Sequence, residues 1–346
     1  MKVAVLGGTG LVGTEMISIM KQRNFPVFEL LVFASERSEG KTITTPFGDV
    51  VCKVARSVED FKGCDFVIVD VDDPYAIELA PLAAQAGAKV VDNSAAFRMD
   101  PDVPLVVSEV NPGDIKDAKK NIVACPNCTT MILLVALAPL HERFKIDRMV
   151  ISTYQSVSGA GQIGIDELET QWKTHGFDDD INTLVRASEN PEVIKGGVAW
   201  SKAIAGNVIP MAGSIKESGY TSEEEKLVKE THKILHDDSI RVTATCVRVP
   251  VFVGHALSVN VSFKENVDAE QVAKILSDAK GVILDSSVGY ESAMPTPLET
   301  AGADGVHVGR IRDDKTQKNT IDLWVTGDNL RKGAALNAVE IAEAWL

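Results

Sequence analysis

Apolar residues follow two different rhythms along the 346 residues of this chain. In the first third they come as short unbroken runs at Lys2–Leu6, Phe28–Phe33, Phe66–Val71 and Lys89–Asp92. Between them lie stretches of helical spacing, among them Glu15–Lys21 and the Ala-rich Tyr75–Ala86. Short apolar runs alternating with helices predict a parallel sheet covered on both faces, an α/β arrangement. Beyond about residue 145 the rhythm changes. Arg148–Tyr154, Arg241–Val249, Gly254–Phe263 and Thr320–Val325 are β-rich and several alternate with period two, whereas Ile163–Thr174, Ser222–Leu235, Ala269–Ala279 and Leu330–Leu346 repeat as helices. That pattern predicts an α+β domain with helices beside a mostly antiparallel sheet. We place the first domain at 1–128 and the second at 129–326, with the Ala-rich helix in 327–346 returning to the first.

Composition narrows the classes. The chain is 45% hydrophobic, enough for two cores, and its 35 basic against 49 acidic residues give a net charge of −14. So acidic a chain, with no run of Lys and Arg, is a poor partner for a nucleic-acid backbone. The apolar run after Lys2 is shorter than a signal-peptide core, and the longest apolar stretch, Met131–Leu140, is about half of a membrane span. A cytoplasmic protein is expected. Five cysteines make an odd, low number, which argues against a disulfide framework.

The first strand runs straight into Gly7-Gly8-Thr9-Gly10-Leu11-Val12-Gly13, where Gly8, Gly10 and Gly13 fit G-x-G-x-x-G. The motif is weak alone, but here it follows a strand and opens a helix, as a Rossmann-type dinucleotide site requires. Gly7, Thr9, Gly10, Leu11 and Val12 are expected to wrap a pyrophosphate at the helix N-terminus. After the second strand comes Ala34-Ser35-Glu36-Arg37-Ser38. Arg37 flanked by Ser35 and Ser38 suits a 2′-phosphate and favours NADP, while Glu36 leaves NAD use open.

Cys125 and Cys128 form a C-x-x-C in "IVACPNCTTMILLVALAPL". Cys52, Cys64 and Cys246 stand alone and no His pair has ligand spacing near them, so no metal site is expected. A thioredoxin-type dithiol belongs to a different fold. Pro126-Asn127 makes a turn and a helix follows, which puts Cys128 at a helix start, a position that favours the thiolate. Cys125 reads as an inert buried residue. A thiolate beside a nicotinamide points to attack on a carbonyl, hydride transfer and a thioester. The base is open. His141, His175, His232 and His236 read as surface residues and His307 as part of a Gly-rich loop, while His255 stands in an apolar strand region. Arg248 precedes His255 by seven positions, opposite faces on one regular strand unless Pro250 and Gly254 break the alternation.

Taken in order, "GGTGLVG", "SERSEG", "DNSAAFR", "VPLVVSEVN", "PNCTT", "TYQSVSGAG", "NVIP", "EEEK", "RVPVFVGH" and "DNLRKGAA" resemble the aspartate-β-semialdehyde dehydrogenases over essentially the full length. The resemblance implies a catalytic and dimerisation role for the second domain, a homodimer or dimer of dimers, and NADP. The implied reaction converts L-aspartyl 4-phosphate to L-aspartate 4-semialdehyde on the way to lysine, methionine and threonine. Cys128 would carry the acyl group, His255 serve as acid–base group and Gln155 orient the substrate. Arg248 would hold the substrate carboxylate, and Glu223, or failing it Glu224, the ammonium. Arg98, Asn127 and Lys226 would bind phosphate; Ser158, Gly159 and Asn329 would reach the cofactor. Cys125 departs from the family's usual Asn, which raises a reversible Cys125–Cys128 disulfide. The rivals are N-acetyl-γ-glutamyl-phosphate reductase and a non-catalytic NADP sensor. A short-chain epimerase is excluded, since Tyr75, Tyr154, Tyr220 and Tyr290 all lack Lys four residues on.

Overall fold

The structure, a computed structural model, describes residues 1–174, 194–285 and 294–346, so His175 and Tyr290 lie outside the described residues. The chain forms two compact units: Met1–Pro139 with Lys229–Ser239 and Leu330–Leu346, and Leu140–Val228 with Ile240–Asn329.

In the first unit, β1 (Lys2–Leu6), β2 (Glu29–Phe33), β5 (Phe66–Val69), β6 (Lys89–Asp92) and β7 (Ile122–Ala124) form an all-parallel sheet in the order β2-β1-β5-β6-β7. Residues Val3, Val5, Phe66, Ile68, Val91 and Val123 share a core with Met16, Ile19 and Met20 of α1 (Leu11–Gln22) and with Leu336, Val339 and Ile341 of the helix Leu336–Ala344. The alternate strand residues turn to the other face, where α2 (Asp73–Gln85) packs on β5 and β6. The Thr42–Thr45 (β3) and Gly48–Val51 (β4) hairpin was not legible: both strands are short and largely exposed.

The C-terminal element begins as a π-turn, Arg331–Ala335, before the α-helix. It carries the fully buried Lys332, whose ammonium lies 2.5 Å from Glu109 and 2.5 Å from Glu340. Arg23 of the α1 end reaches Glu343 at 2.7 Å. Segment 229–239, which the pattern assigned to the second domain, belongs to the first unit for a physical reason. Lys233 donates to the carbonyls of Arg98, Asp100 and Val103 at 2.7 to 2.8 Å. Buried carbonyls need donors, and this helix end supplies three from one ammonium.

The second unit holds a six-stranded sheet, β11-β12-β13-β10-β8-β9, built from Val282–Leu284, Val306–Asp313, Thr320–Gly327, His255–Phe263, Ile146–Gln155 and Arg241–Arg248. Three of its five pairings are antiparallel; β8–β9 and β11–β12 are parallel. The helix α3 (Cys128–Phe144) starts in the first unit, and the division falls after its Pro139. α4 (Gln162–Thr174) closes a small core of Val157, Leu168, Ile204 and Ile209 with Trp172, Trp200 and Phe252. No helix among the described residues is long and apolar enough to cross a membrane.

Lys332→Met strands two carboxylates in the interior. Breaking a buried pair this way costs about 3–5 kcal/mol, so the denaturant midpoint should fall clearly. A surface change such as Lys62→Met should leave it in place, because Lys62 is largely exposed.

Candidate active site

The order in which the chain adds strands reverses between β1 and β5, where parallel sheets bind ligands at the carboxyl ends of their strands. Gly7 stands there at φ +81, and a Cβ on it would fall 1.9 Å from the Asp70 carbonyl oxygen. Only glycine permits this approach. Gly10 caps α1 without a side chain, and no acidic residue sits in the helix's first turn. The N–H groups of Leu11 and Val12 therefore begin a helix whose dipole meets no carboxylate in its own first turn, with Thr9 beside them, an arrangement suited to an anion. After β2, Glu36–Ser38 form one 3₁₀ turn in which Ser38 N–H bonds the Ser35 carbonyl. Glu36 and Glu39 both face Arg56, at 3.9 and 3.1 Å. Arg37 is exposed and has no carboxylate partner among the described residues.

Cys128 is the first residue of α3 and half-buried. Asn127 caps that helix: its Oδ1 accepts the Thr129 N–H at 3.0 Å and the Thr129 hydroxyl, and the Cys128 thiol points to it at 4.0 Å. The Asn127 N–H in turn donates to Glu230 at 2.7 Å, and Glu230 pairs with Arg98 at 3.0 Å. The other Arg98 nitrogens donate to the carbonyls of Ser94 and Asn93. Arg98 thus braces the turn that presents Cys128. Glu230 is not legible in the sequence, because its partners lie far away along the chain and its own helix reads as a solvated charged face. Cys125 is wholly buried; burial, with Asp92 next, pushes its thiol up to about 12. A sealed, protonated thiol is a poor nucleophile. Both cysteines are free thiols.

The second unit gathers Gln155, Ser158, Gly159, Arg248, His255 and Asn329. Parallel pairing sets Gln155 opposite Arg248 at the carboxyl ends of β8 and β9. The turn beyond continues the ladder, with Val249 N–H on the Gln155 carbonyl and Val157 N–H on that of Val251. His255 opens β10 on the other side of β8. Arg248 and His255 are therefore on different strands, and the odd spacing that would separate them on one strand does not apply. Arg248 donates to the Ser156 carbonyl at 2.7 Å, and His255 Nδ1 lies 3.0 Å from the Ser156 N–H. A Cβ on Gly159 would sit 2.8 Å from the Arg248 guanidinium and 3.3 Å from His255 Nε2, so the bare backbone of this exposed residue lies directly over both. Gln155 is buried and touches Thr153 at 3.3 Å. Burial, and next the charge of Arg248, hold the His255 imidazole well below its usual range, with the Gly254 backbone opposing.

The helix Ser222–Leu235 separates the two candidate carboxylates. Glu224 is buried and spent on backbone, accepting the N–H of Thr221 at 2.7 Å and of Cys246 at 2.8 Å. Glu223 pairs with Lys226 at 2.6 Å one turn on. Two other histidine readings change. His141 is buried and accepts the Ile146 N–H at 3.2 Å, closing the end of α3. His307 is in β12, opposite Thr326, and faces Asp285 at 3.3 Å. His236 is exposed.

Residues 2–118 match the semialdehyde dehydrogenase NAD binding domain and residues 137–332 the semialdehyde dehydrogenase dimerisation domain. The chain is 44% identical over 344 residues to the aspartate-semialdehyde dehydrogenase of Aquifex aeolicus, covering 99% of this chain and 97% of that one. It is 46% identical to that of Streptomyces akiyoshiensis over 99% and 98% of the two. A crystal structure of aspartate semialdehyde dehydrogenase II from Vibrio cholerae, complexed with ASA, superposes at TM-score 0.89 with 43% identity, covering 99% and 97%. A Candida albicans aspartate semialdehyde dehydrogenase with NADP superposes at 0.72 with 26% identity, covering 99% and 97%.

Glu230→Gln removes the charge opposite Arg98 and loosens the Asn127–Cys128 turn. A loss of about 3 kcal/mol in unfolding free energy is expected. Alkylation of Cys128 by iodoacetamide should change rate in step, while a rate and stability equal to wild type would show the brace to be idle.

Proposed function

The chain belongs to the aspartate-semialdehyde dehydrogenase family, and we propose residue roles for its reaction, the reductive dephosphorylation of L-aspartyl 4-phosphate to L-aspartate 4-semialdehyde. It is an NAD(P)-dependent oxidoreductase of amino-acid biosynthesis that works through an acylated cysteine. The observation that carries the assignment of that cysteine is the contrast within C-x-x-C. Cys128 begins α3 and is reachable, whereas Cys125 is buried and held protonated.

Cys128 attacks the acyl carbon, the C–O bond to phosphate breaks, and a thioester remains. A dinucleotide held at the glycine turn would supply the hydride that reduces the thioester. N–H groups at the start of α3 are the donors suited to the resulting oxyanion. His255, neutral in its buried setting, exchanges the proton. Gln155 orients the substrate. Arg248 binds its carboxylate through a planar fork, and Glu223 holds its ammonium, since Glu224 is occupied by two backbone N–H groups. Arg98, Asn127 and Lys226 are each assigned to phosphate. Ser158, Gly159 and Asn329 receive the nicotinamide end. An N-acetylated glutamyl phosphate has no ammonium for Glu223, which favours the aspartyl substrate over that alternative.

Of the two dinucleotides we infer NADP. Glu36 and Glu39 are turned to Arg56, so Arg37 stands with Ser35 and Ser38 to meet a 2′-phosphate. A homodimer through residues 137–332, in the cytoplasm, completes the reading.

Phosphate-dependent NADPH formation from L-aspartate 4-semialdehyde tests it. Cys128→Ser should lower the rate by roughly 10⁴-fold, the scale seen when a covalent route is lost; a retained rate would remove the thioester. Arg37→Ala should raise KM for NADP about tenfold or more, the worth of a charge-assisted phosphate contact, and leave KM for NAD unchanged. Equal effects on both dinucleotides would sink the NADP assignment.

A further inference from the structure

Glu167 is a buried acidic residue without a role in the reaction, and Trp200 is a half-buried indole outside every motif. Both belong to the second unit, where α4 brings them together. The chain at 194–203 folds back on itself: Lys195 bridges Lys202, and the Ala203 N–H donates to the Ile194 carbonyl at 3.1 Å. The N–H groups near its tip go to α4. Glu167 Oε1 accepts from Gly197 at 3.0 Å, and Oε2 accepts from Ala199 at 2.6 Å. One turn on, Gln171 Oε1 accepts from Ile204 at 2.8 Å and from Ala205 at 3.0 Å, and its amide donates to Glu167 at 3.0 Å. Residues four apart share a helix face, so the two side chains act as one clamp on the tip and the far end of this loop.

What the clamp holds in place is Trp200, the residue after Ala199. Its ring packs on the core of Val157, Leu168 and Ile204. A Cβ on Gly164 would lie 3.0 Å from the ring carbon Cη2, so the bare backbone of α4 makes room for the indole. The Arg248 guanidinium lies over that ring, 6.0 Å from its centroid, and donates to the Ser156 carbonyl at 2.7 Å. An aromatic face attracts a cation through its quadrupole. Unlike a carboxylate, it takes none of the N–H donors of the fork and leaves the positive charge in force. An indole is thus suited to steady an arginine that has a carboxylate ligand still to meet.

We propose that Trp200, held by Glu167 and Gln171, is a positioning residue that sets the Arg248 guanidinium for the substrate carboxylate. The proposal rests on the role given to Arg248 above. That carboxylate is unchanged by the reaction, so Arg248 holds substrate and transition state alike. Loosening it weakens uniform binding, which raises KM and spares kcat.

The test is steady-state kinetics of the full chain with L-aspartate 4-semialdehyde, phosphate and NADP. Trp200→Leu should raise KM for the semialdehyde about threefold to thirtyfold, the worth of a cation–π contact. It should leave kcat, and KM for phosphate and NADP, within about twofold. Trp200→Tyr and Trp200→Phe keep a π face and should retain most of the affinity. Trp200→Met fills space without one and should behave as Leu does; it also serves if Leu does not fold. Glu167→Gln puts an NH₂ against one of the two tip N–H groups. It should raise the same KM and add little to Trp200→Leu. In an Arg248→Ala background, Trp200→Leu should have no further effect on KM, because the two residues act as one pair. Met serving as well as Phe, a fall in kcat in place of the rise in KM, or an equal effect of Trp200→Leu with and without Arg248, overturns the proposal. Arg248→Ala separates the two readings. A raised KM there with an unaffected Trp200 series sinks the positioning role alone, whereas an unchanged KM in Arg248→Ala removes the carboxylate role itself and the proposal with it.

Discussion

Strands that run parallel end on the same side of a sheet, and the chain must travel away and back to join them, so residues distant in sequence are delivered to one edge. The candidate chemistry of both units leaves such ends. The glycine turn follows β1 beside the end of β5, and Cys128 follows β7. In the second unit Gln155 and Arg248 close the parallel pair β8–β9 in register. His255 joins them because β10, antiparallel to β8, starts where β8 ends. The remaining structure, from the C-terminal helix to the small aromatic core under the 249–252 turn, keeps those ends in place.

Two pairs of near-twin residues show how burial assigns work. Cys125 and Cys128 differ by one turn of chain. One is sealed in the core beside Asp92 and kept protonated; the other begins a helix at half exposure. Glu223 and Glu224 are adjacent, and the second is fully occupied by two backbone N–H groups. A carboxylate already satisfied by the backbone has little left for a ligand, since a second partner must displace a bond that burial makes costly to lose. Arg98 also braces the Cys128 turn, its fork reaching Glu230 and two carbonyls.

Buried charge is concentrated where the chain folds back on itself. Lys332 with Glu109 and Glu340, and Arg98 with Glu230, each join segments far apart in sequence. Isolated, either charge would be costly to bury; paired and hydrogen-bonded, they specify which segment meets which.

Several features were determined by the sequence alone because they depend on local chemistry. Short apolar runs made the parallel strands, glycines at the end of the first one made the nucleotide turn, and Pro126-Asn127 before an apolar helix placed Cys128 at its start. Elements lacking that contrast were not legible: the exposed β3–β4 hairpin, the charged strand β12, and the π-turn hidden in a good helical pattern. His141 reads as a surface residue because its neighbours in sequence are polar, while its neighbours in space are not. Only tertiary structure decided which glutamate is spent on backbone, that Glu230 braces Arg98 and the Cys128 turn, and that Arg248, Ser156 and His255 meet across β8. Those are contacts between residues far apart along the chain, set by register and burial, and no local pattern encodes them.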